Sequence, residues 1–346
     1  MQNIIKTVDC AQLVNNIITI KTDLNTTKLC AVVKSNAYGH GVEIVAKTIE
    51  NYVDCFAVID NIEALKLRRI TTKPIIVLGV LNPHLLTQAV KATIGISVDN
   101  SHDLAYLERV ASKAGIIASV NIQLDTGLHR LGTSSKLELN QMLDMITQSP
   151  HLALYSIYSH LGNGTDLFRT NNQITCFFKL IPPYSCPTIH LYNTYYYLHP
   201  SKFDMVRIGA GIYGYDHPKT KPILSIKAQI IKLVNVKKGE FIGYGNNHIA
   251  KSDQTVAILG IGYADGLPYA WAKEGWVLYN NKKCPYASDI CMNMSLIYAT
   301  PDMKVGEYVT ILGSDKTNCI TALDIAKHSH SIVDEILTRF GTLRTN

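Results

Sequence analysis

The sequence predicts a (β/α)8 barrel of the TIM type followed by a second, mostly β domain. Its 346 residues are too many for most single hydrophobic cores, so two domains are expected. From about residue 28 to about residue 214 the chain repeats a short apolar strand, a turn and an amphipathic helix. After about residue 222 the segments are strand-like and almost without helical pattern. We therefore expect the barrel in residues 1–222 and the β domain in residues 223–346.

Eight apolar segments support the barrel prediction. They are residues 29–34, 55–60, 74–79, 95–99, 116–125, 153–160, 188–193 and 203–209. Nearly continuous apolar strands that alternate with helices indicate a parallel sheet covered on both faces. A doubly wound open sheet is the alternative fold, but no Gly-x-Gly-x-x-Gly motif follows the first strand. The closed barrel is therefore favoured.

The segments between these strands have the period of amphipathic helices. After the first strand, for example, Val42, Val45, Ala46 and Ile49 share one helical face. The second domain lacks this alternation. It contains strand-like residues 224–236, 240–244, 255–263, 276–279, 291–298 and 307–312, a short helix at 321–328 and a closing segment at 332–340.

Composition excludes several functional classes. The N-terminus lacks a long apolar stretch and no apolar run approaches the length of a membrane span, so we expect a soluble, cytoplasmic protein without a membrane partner. The net charge of +6 is modest and no basic cluster alternates with aromatic residues, which argues against a nucleic-acid partner. The eight cysteines form no Cys-x-x-Cys pair, so buried thiols are expected rather than disulfides or a metal site.

Lys34 is the most informative residue of the barrel segment. It follows the apolar run 29–33 and precedes residues 35–41, which contain turn-forming asparagine and glycine. An ammonium at the exit of a buried strand is out of place unless it is paired or reactive. Burial favours the neutral, nucleophilic amine that a Schiff-base enzyme needs. The alternative is a structural lysine whose amine reaches solvent at the strand end.

Further polar residues stand at the exits of the later strands. They are Asp125 with Arg130 beyond it, His160, Asn193, Thr194 and Arg207. Each has an ordinary alternative, such as a core histidine, a tight turn or a surface ion pair. Barrel chemistry gathers at the carboxyl ends of the strands, and phosphate often binds after strands seven and eight. There this chain has a hydroxyl and a Gly-Ala-Gly turn at residues 209–211. An amine and a phosphate cradle at one barrel end indicate a pyridoxal-phosphate site.

The same motifs resemble those of the alanine racemase family. Residues 31–41, which read AVVKSNAYGHG, are similar to the cofactor-lysine signature of that family. Four further pieces follow in the family's order: residues 124–132, 204–209, 243–245, and 261–266 with Cys291-Met292. The resemblance spans essentially the whole chain. It implies a pyridoxal-phosphate-dependent racemase that interconverts L- and D-alanine and supplies D-alanine for peptidoglycan.

The resemblance also assigns cofactor contacts. By this resemblance Lys34 would form the covalent link to the cofactor. The phosphate would be held by Tyr38, Thr194 and the backbone near Gly209 and Ala210, with Asn193 nearby and His160 packed by the ring. By the same resemblance Arg207 would face the pyridine nitrogen. Because a guanidinium keeps its proton, the nitrogen stays unprotonated, which should suppress side reactions such as transamination and decarboxylation.

Racemisation needs a proton removed from one face of Cα and one delivered to the other, so two flanking groups are required. By resemblance Lys34 serves one face, and the partner subunit's Tyr244 serves the other. A homodimer with shared active sites follows. Arg130 and the backbone of Met292 are implied to bind the substrate carboxylate, and Tyr263 to line the entrance.

Several positions depart from the family pattern. Gln123 stands where many members have a lysine, often carbamylated; a neutral amide can still accept a hydrogen bond from Arg130. Asp289 replaces the usual arginine and Asn293 the usual aspartate, and the C-terminus lacks the customary Arg-Val-Pro-Arg stretch.

Three alternative functions stay open: a serine or broader amino-acid racemase, a decarboxylase, and a non-catalytic pyridoxal-phosphate-binding protein. Arg207 argues against the second, and the β domain against the third.

Overall fold

The computed structural model describes residues 3–162, 166–181, 188–194, 203–244 and 248–343. The chain forms two compact units. The barrel unit contains Leu13–Ala37 and Val42–Thr220. The β unit contains the N-terminal segment as far as Gln12, Tyr38–Gly41 and the chain from Lys221 onward. Cys186, Gly245 and residues 344–346, which entered the sequence predictions, lie outside the described residues.

The barrel unit has eight parallel strands, and the predicted fold class is confirmed. They are Lys28–Val32, Cys55–Val58, Ile75–Val77, Gly95–Val98, Ala118–Gln123, Leu152–Tyr158, Ile189–His190 and Met205–Ile208. Neighbours follow chain order as far as Ile189–His190, and Met205–Ile208 pairs with the first of these strands. Backbone hydrogen bonds from Asp204 to Ile189 (3.0 Å) and from Arg207 to Tyr192 (3.1 Å) join the two ends of the sheet. Eight strands enclose a core that side chains fill.

Helices alternate with these strands, as the apolar period predicts. They are Cys10–Leu24, Val42–Ile49, Asn61–Arg68, Leu86–Lys91, Ser101–Ala114, Lys136–Gln148 and Leu167–Leu180. Several begin at a side-chain cap; Asp60, Asn100, Ser135 and Asp166 each accept a hydrogen bond from a backbone N–H in the first turn. Capping fixes where each helix starts after its strand, which positions the loops at the carboxyl ends of the strands.

The β unit is antiparallel throughout its described strands. They are Ile4–Val8, Leu224–Val236, Gln254–Leu259, Trp276–Tyr279, Lys282–Pro285, Ser295–Tyr298, Tyr308–Asp315 and Asn318–Ile320, with helices Ala322–His328 and Val333–Arg339. The mostly β prediction is confirmed. The predicted strand at 240–244 is wrong, because only Phe241 forms an isolated bridge, to Ile249. Ile4–Val8 was not predicted; it pairs with the start of Leu224–Val236, a partner remote in sequence.

The loop after the first barrel strand is left-handed. The strand ends at Val32, two residues before the predicted end, and a turn over Lys34–Tyr38 follows. Its residues Ser35 to Tyr38 have φ of 53°, 54°, 55° and 51°. Residues with a Cβ enter this region at an energetic cost, so surrounding contacts must hold the turn. Gly39 completes it, where an added Cβ would lie 2.2 Å from the carbonyl oxygen of Leu337 in the β unit.

Among the described residues, no helix is long and apolar enough to span a membrane. The seven described cysteines are free thiols.

Candidate active site

Lys34, His160 and Arg207 come together at the carboxyl ends of the barrel strands. The Nη2 of Arg207 lies 3.4 Å from the Nδ1 of His160. Burial, together with the positive charges of Arg207, Arg130 and Lys34, lowers the pKa of His160 from 6.5 to about 3. His160 is therefore a neutral ring at physiological pH, and the positive charges of three residues help to keep it neutral.

Arg207 is buried inside the barrel, with 3% of its surface exposed. Its Nη1 donates to the Nδ1 of His190 and, at 3.2 Å, to the carbonyl oxygen of the same residue. Its Nη2 donates to the carbonyl oxygen of Ser159 at 2.7 Å. Burial lowers the pKa of the guanidinium. Within the described part of the chain its acceptors are two imidazoles and two carbonyls, whereas an ion pair was one alternative from sequence.

His190 extends this contact into the barrel core. Because its Nδ1 accepts from Arg207, the hydrogen is on Nε2, which lies 3.0 Å from Ser156 Oγ. Ser156 in turn donates to Asn121 Oδ1 at 2.6 Å. Burial and the charge of Arg207 hold the pKa of His190 well below its usual value. Sequence reasoning missed His190, although a histidine inside the apolar segment 188–193 was a usable signal.

Tyr158 packs beside this row of hydrogen bonds. Its ring stacks on His190 with centroids 4.8 Å apart and planes 5° apart, and Arg207 Cζ lies 5.1 Å from its centre. The hydroxyl lies 2.8 Å from Ser97 Oγ and donates to Gln123 Oε1 at 3.0 Å. Burial raises the pKa of Tyr158 to about 12, which keeps the phenol protonated.

Gln123 therefore bonds Tyr158 and not Arg130. The two residues are register partners on neighbouring strands, so their side chains lie on the same side of the sheet. Arg130 lies seven positions further along, in an exposed loop. Its charge still contributes to the low pKa of His160, which places the guanidinium near the barrel mouth.

The Arg130 loop is shaped by Asp125. The Oδ1 of Asp125 accepts from the backbone N–H groups of Gly127, Leu128 and His129 at 2.9, 3.0 and 3.0 Å. Burial alone would raise the pKa of Asp125, but these N–H groups lower it overall. Gly132 ends the loop at φ +108°, where a Cβ would lie 2.4 Å from the carbonyl carbon of Leu124. Local hydrogen bonds thus determine where Arg130 stands.

Thr194 and the turn at residues 209–211 also meet. An added Cβ at Gly211 would lie 2.7 Å from Thr194 Cγ2 and 2.9 Å from Ile208 Cγ2. A short 3-10 helix, Ala210–Tyr213, begins directly after Gly209. Thr194 is buried, and Asn193 before it is half-buried. A hydroxyl therefore lies beside a turn without bulky side chains, an arrangement that suits an oxyanion.

The remaining predicted residues lie in the β unit. Tyr38 is buried there, whereas Tyr244 is 71% exposed and Met292 57% exposed. Tyr244 follows Gly243, whose φ is +65° and where a Cβ would lie 2.4 Å from Ser288 Oγ. This close approach fixes the backbone on which Tyr244 projects outward.

Tyr263 and Met292 are brought together through their backbones. Tyr263 N–H donates to the carbonyl oxygen of Cys291 at 3.0 Å, and Ala264 N–H to that of Met292 at 2.9 Å. At Gly262 an added Cβ would lie 2.3 Å from Cys291 O and 2.4 Å from Met292 O. Glycine at position 262 therefore permits the contact between these two loops.

Asp289, which departs from the family pattern, has partners in the same unit. Its Oδ1 lies 3.5 Å from His248 Nε2. The phenol of Tyr269 hydrogen-bonds the Asp289 carboxylate, which raises the pKa of Tyr269. The Tyr269 ring packs edge-on against Tyr263 at 6.4 Å. The acidic side chain is thus accommodated by a histidine and a tyrosine.

Comparison with known proteins matches both parts of the chain. The family model for the alanine racemase N-terminal domain matches residues 8–217, and that for the C-terminal domain matches residues 223–345. An alanine racemase of Vesicomyosocius okutanii is 32% identical, covering 94% of this chain and 93% of the relative. One of a Nostoc species is 32% identical, covering 96% and 92%.

Solved structures give the same result. The alanine racemase of Bacillus anthracis with bound L-Ala-P superposes with a TM-score of 0.91 at 27% identity, covering 98% of this chain and 93% of that one. The histidine racemase of Leuconostoc mesenteroides superposes with a TM-score of 0.92 at 25% identity, covering 98% and 96%.

Proposed function

Because this chain belongs to the alanine racemase family, we propose that it is a pyridoxal-phosphate-dependent alanine racemase that interconverts L- and D-alanine as a cytoplasmic homodimer. The observation that carries the proposal is the convergence of Lys34, neutral His160 and buried Arg207 at the carboxyl ends of the barrel strands. The expected role is the supply of D-alanine for peptidoglycan.

The residues present fit pyridoxal phosphate. Lys34 offers an amine for its aldehyde. The Thr194 side chain packs so closely on the turn at residues 209–211 that position 211 has no space for a Cβ, which keeps the backbone of the turn beside a hydroxyl. In the proposed site Tyr38, Thr194 and the backbone of Gly209 and Ala210 would hold the phosphate, with His160 and Asn193 beside the cofactor. When bound, the cofactor would acidify the Cα–H bond of an amino acid.

Arg207 is proposed to donate a hydrogen bond to the pyridine nitrogen. Its Nη1 and Nη2 are held by His190 and Ser159, so its orientation is set by the barrel core. A guanidinium gives up its proton far less readily than a carboxylic acid would. Arg207 would therefore orient the cofactor ring without protonating it, which would favour racemisation over side reactions.

Two groups are proposed to move the proton at Cα. Lys34 Nζ would remove or return it on one face, and the partner subunit's Tyr244 would do so through Oη on the other. Tyr244 is 71% exposed in the single chain, which supports a role toward a second copy. In this proposal residues 1–222 bind the cofactor and residues 223–346 complete the site of the other protomer.

The substrate carboxylate is proposed to bind Arg130 and the backbone of Met292, with Tyr263 lining the entrance. An exposed guanidinium on a loop that Asp125 holds in place suits a planar carboxylate. The backbone contact between Tyr263 and Cys291 supports a common location for the two β-unit residues.

The proposed activity is tested by incubating the purified protein, loaded with pyridoxal phosphate, with L-alanine in D2O. We expect optical rotation to decay to zero while Cα acquires deuterium. Lys34→Ala is the control and should show neither change. Retained optical rotation with no deuterium uptake by the wild-type protein would refute the activity.

A broader amino-acid racemase is the second candidate. It is favoured by the likeness to a histidine racemase and by Asp289, whose carboxylate lies beside His248 and Tyr269 near the proposed entrance. Repeating the D2O incubation with L-serine and L-histidine distinguishes the two. Exchange of either substrate at a rate comparable to alanine would favour the broader enzyme.

A further inference from the structure

Glu63 makes two backbone hydrogen bonds next to Lys34. It is the third residue of helix Asn61–Arg68, where its own N–H donates to the cap Asp60 at 2.8 Å. Its Oε1 accepts from the N–H of Ser35 at 2.6 Å and its Oε2 from that of Ile59 at 3.1 Å. One carboxylate thus joins the residue after Lys34 to the exit of the neighbouring strand.

The segment that Glu63 holds is the left-handed turn. Ser35, Asn36 and Ala37 have φ of 53°, 54° and 55°, a conformation that residues with a Cβ avoid. Asn36 Oδ1 accepts from Val42 N–H at 2.8 Å, and Ala37 N–H donates to Val33 O at 2.9 Å. The first bond reaches the start of the following helix and the second reaches the residue before Lys34, so neither of the two anchors the turn to another strand.

A strained turn persists only when surrounding contacts determine it. Since the Ser35 amide is covalently adjacent to Lys34, its bond to Glu63 fixes the direction in which the lysine leaves the strand. Both oxygens of Glu63 are engaged, each with a different segment, so the carboxylate holds Ser35 relative to Ile59.

We propose that Glu63 is a positioning residue for Lys34: its carboxylate holds the left-handed turn and thereby presents the lysine amine to pyridoxal phosphate. This inference rests on the proposed function. Glu63 touches backbone amides and takes no proton in the reaction. A glutamine at position 63 keeps the shape but places an NH2 donor against one of the two N–H donors.

The test compares Glu63→Gln and Glu63→Asp with Glu138→Gln. Glu138 offers a matched control. It lies in the first turn of another barrel helix, Lys136–Gln148, and its Oε1 accepts from the N–H of Ser101 at 2.5 Å. All three variants lose or weaken a carboxylate-to-backbone contact, but only those at position 63 do so beside Lys34. Thermal unfolding establishes that each variant is folded.

Two measurements are made on each protein. Hydrogen exchange of the cofactor-free protein measures how fast the backbone amides of residues 34–38 exchange with solvent. Borohydride reduction after timed addition of pyridoxal phosphate, followed by peptide mass spectrometry, reports the rate of labelling at Lys34. For both Glu63 variants we expect exchange about 10- to 100-fold faster and labelling at least about 10-fold slower, with Glu138→Gln like wild type in both.

The outcomes separate the two proposals. Absence of label on Lys34 in the wild-type protein would overturn the proposed function and the role of Glu63 together. Normal wild-type labelling, with unchanged exchange and labelling in whichever Glu63 variant is folded, would overturn the role of Glu63 alone. Equal slowing in Glu138→Gln would show a general loss of stability and would also overturn it.

Discussion

Arg207 donates through Nη1 to the Nδ1 of His190, and the two residues form a buried pair with one permanent charge. The histidine accepts because it is neutral, and it is neutral because burial and the adjacent guanidinium oppose its protonation. His190 in turn donates through Nε2 to Ser156, and Ser156 donates to Asn121. Arg207 is thus held by core residues that sequence motifs did not single out.

Replacing His190 with phenylalanine should destabilise the barrel. The ring still stacks on Tyr158, but Arg207 and Ser156 each lose a buried hydrogen-bond partner. We expect the free energy of unfolding to fall by roughly 1–3 kcal/mol for an unsatisfied buried group, or more where the group is charged. Urea denaturation measures it. His102→Phe, at an exposed helix position, should change stability by less than about 0.5 kcal/mol. Equal effects would contradict the role of the pair.

Stability should depend on pH through His160. Its pKa is about 3 in the folded protein against 6.5 unfolded, so between these values the unfolded chain holds more protons. The stability that neutral His160 contributes is present above pH 6.5 and is lost as pH falls, by at most about 1.4 kcal/mol per pH unit. His160→Asn should flatten the decline seen in urea denaturation of the cofactor-free protein. Identical slopes in both proteins would rule out a depressed pKa.

Lys34→Ala should abolish both the visible absorbance of lysine-bound cofactor and racemisation. No other group can take the place of the amine that forms the link in the proposed site. Absorbance spectra and the D2O assay measure the two effects. Lys28→Ala, at the exposed start of the same strand, is the control and should keep both. Absorbance and activity that survive in Lys34→Ala would end the assignment.

Tyr244→Phe should leave cofactor binding intact while it slows proton transfer on one face of Cα. Loss of a general acid–base group costs about 100-fold or more in rate. The rate of deuterium uptake at Cα is measured separately with L-alanine and with D-alanine as the substrate. We expect the substitution to lower one of these two rates more than the other. Tyr298→Phe removes another exposed phenol of the β unit and should change neither rate. A Tyr244→Phe enzyme with unchanged rates from both enantiomers would remove Tyr244 from the mechanism.

Gly262→Ala should disturb the contact between Tyr263 and the Cys291-Met292 loop. The added Cβ would lie 2.3 Å from Cys291 O, so one backbone segment must move, at roughly 1–3 kcal/mol or more. We expect a lower melting temperature and a raised KM for alanine. At Gly306 no atom lies within 4 Å of an added Cβ, so Gly306→Ala should meet only the backbone penalty at φ +95° and leave KM unchanged. A KM that rises equally in both variants would argue against this role of Gly262.

Local patterns explain why so much of the barrel could be predicted. Apolar runs and the helical period are properties of neighbouring residues, and the eight strands and their order follow from them. The strand exits that carry Lys34, His160, Thr194 and Arg207 were recognisable for the same reason. Short or exposed strands such as Lys282–Pro285 and Asn318–Ile320 escaped prediction because too few of their side chains are buried to produce a pattern.

The sequence by itself determined the order of the elements, the family, and which chemical groups stand at the ends of the strands. Only the tertiary structure decided which groups touch: Arg207 with His190, Gln123 with Tyr158, and Glu63 with the amide of Ser35. The physical reason is range. Periodicity and turn chemistry act over a few residues, whereas these pairs depend on the register and closeness of strands that lie far apart in the chain.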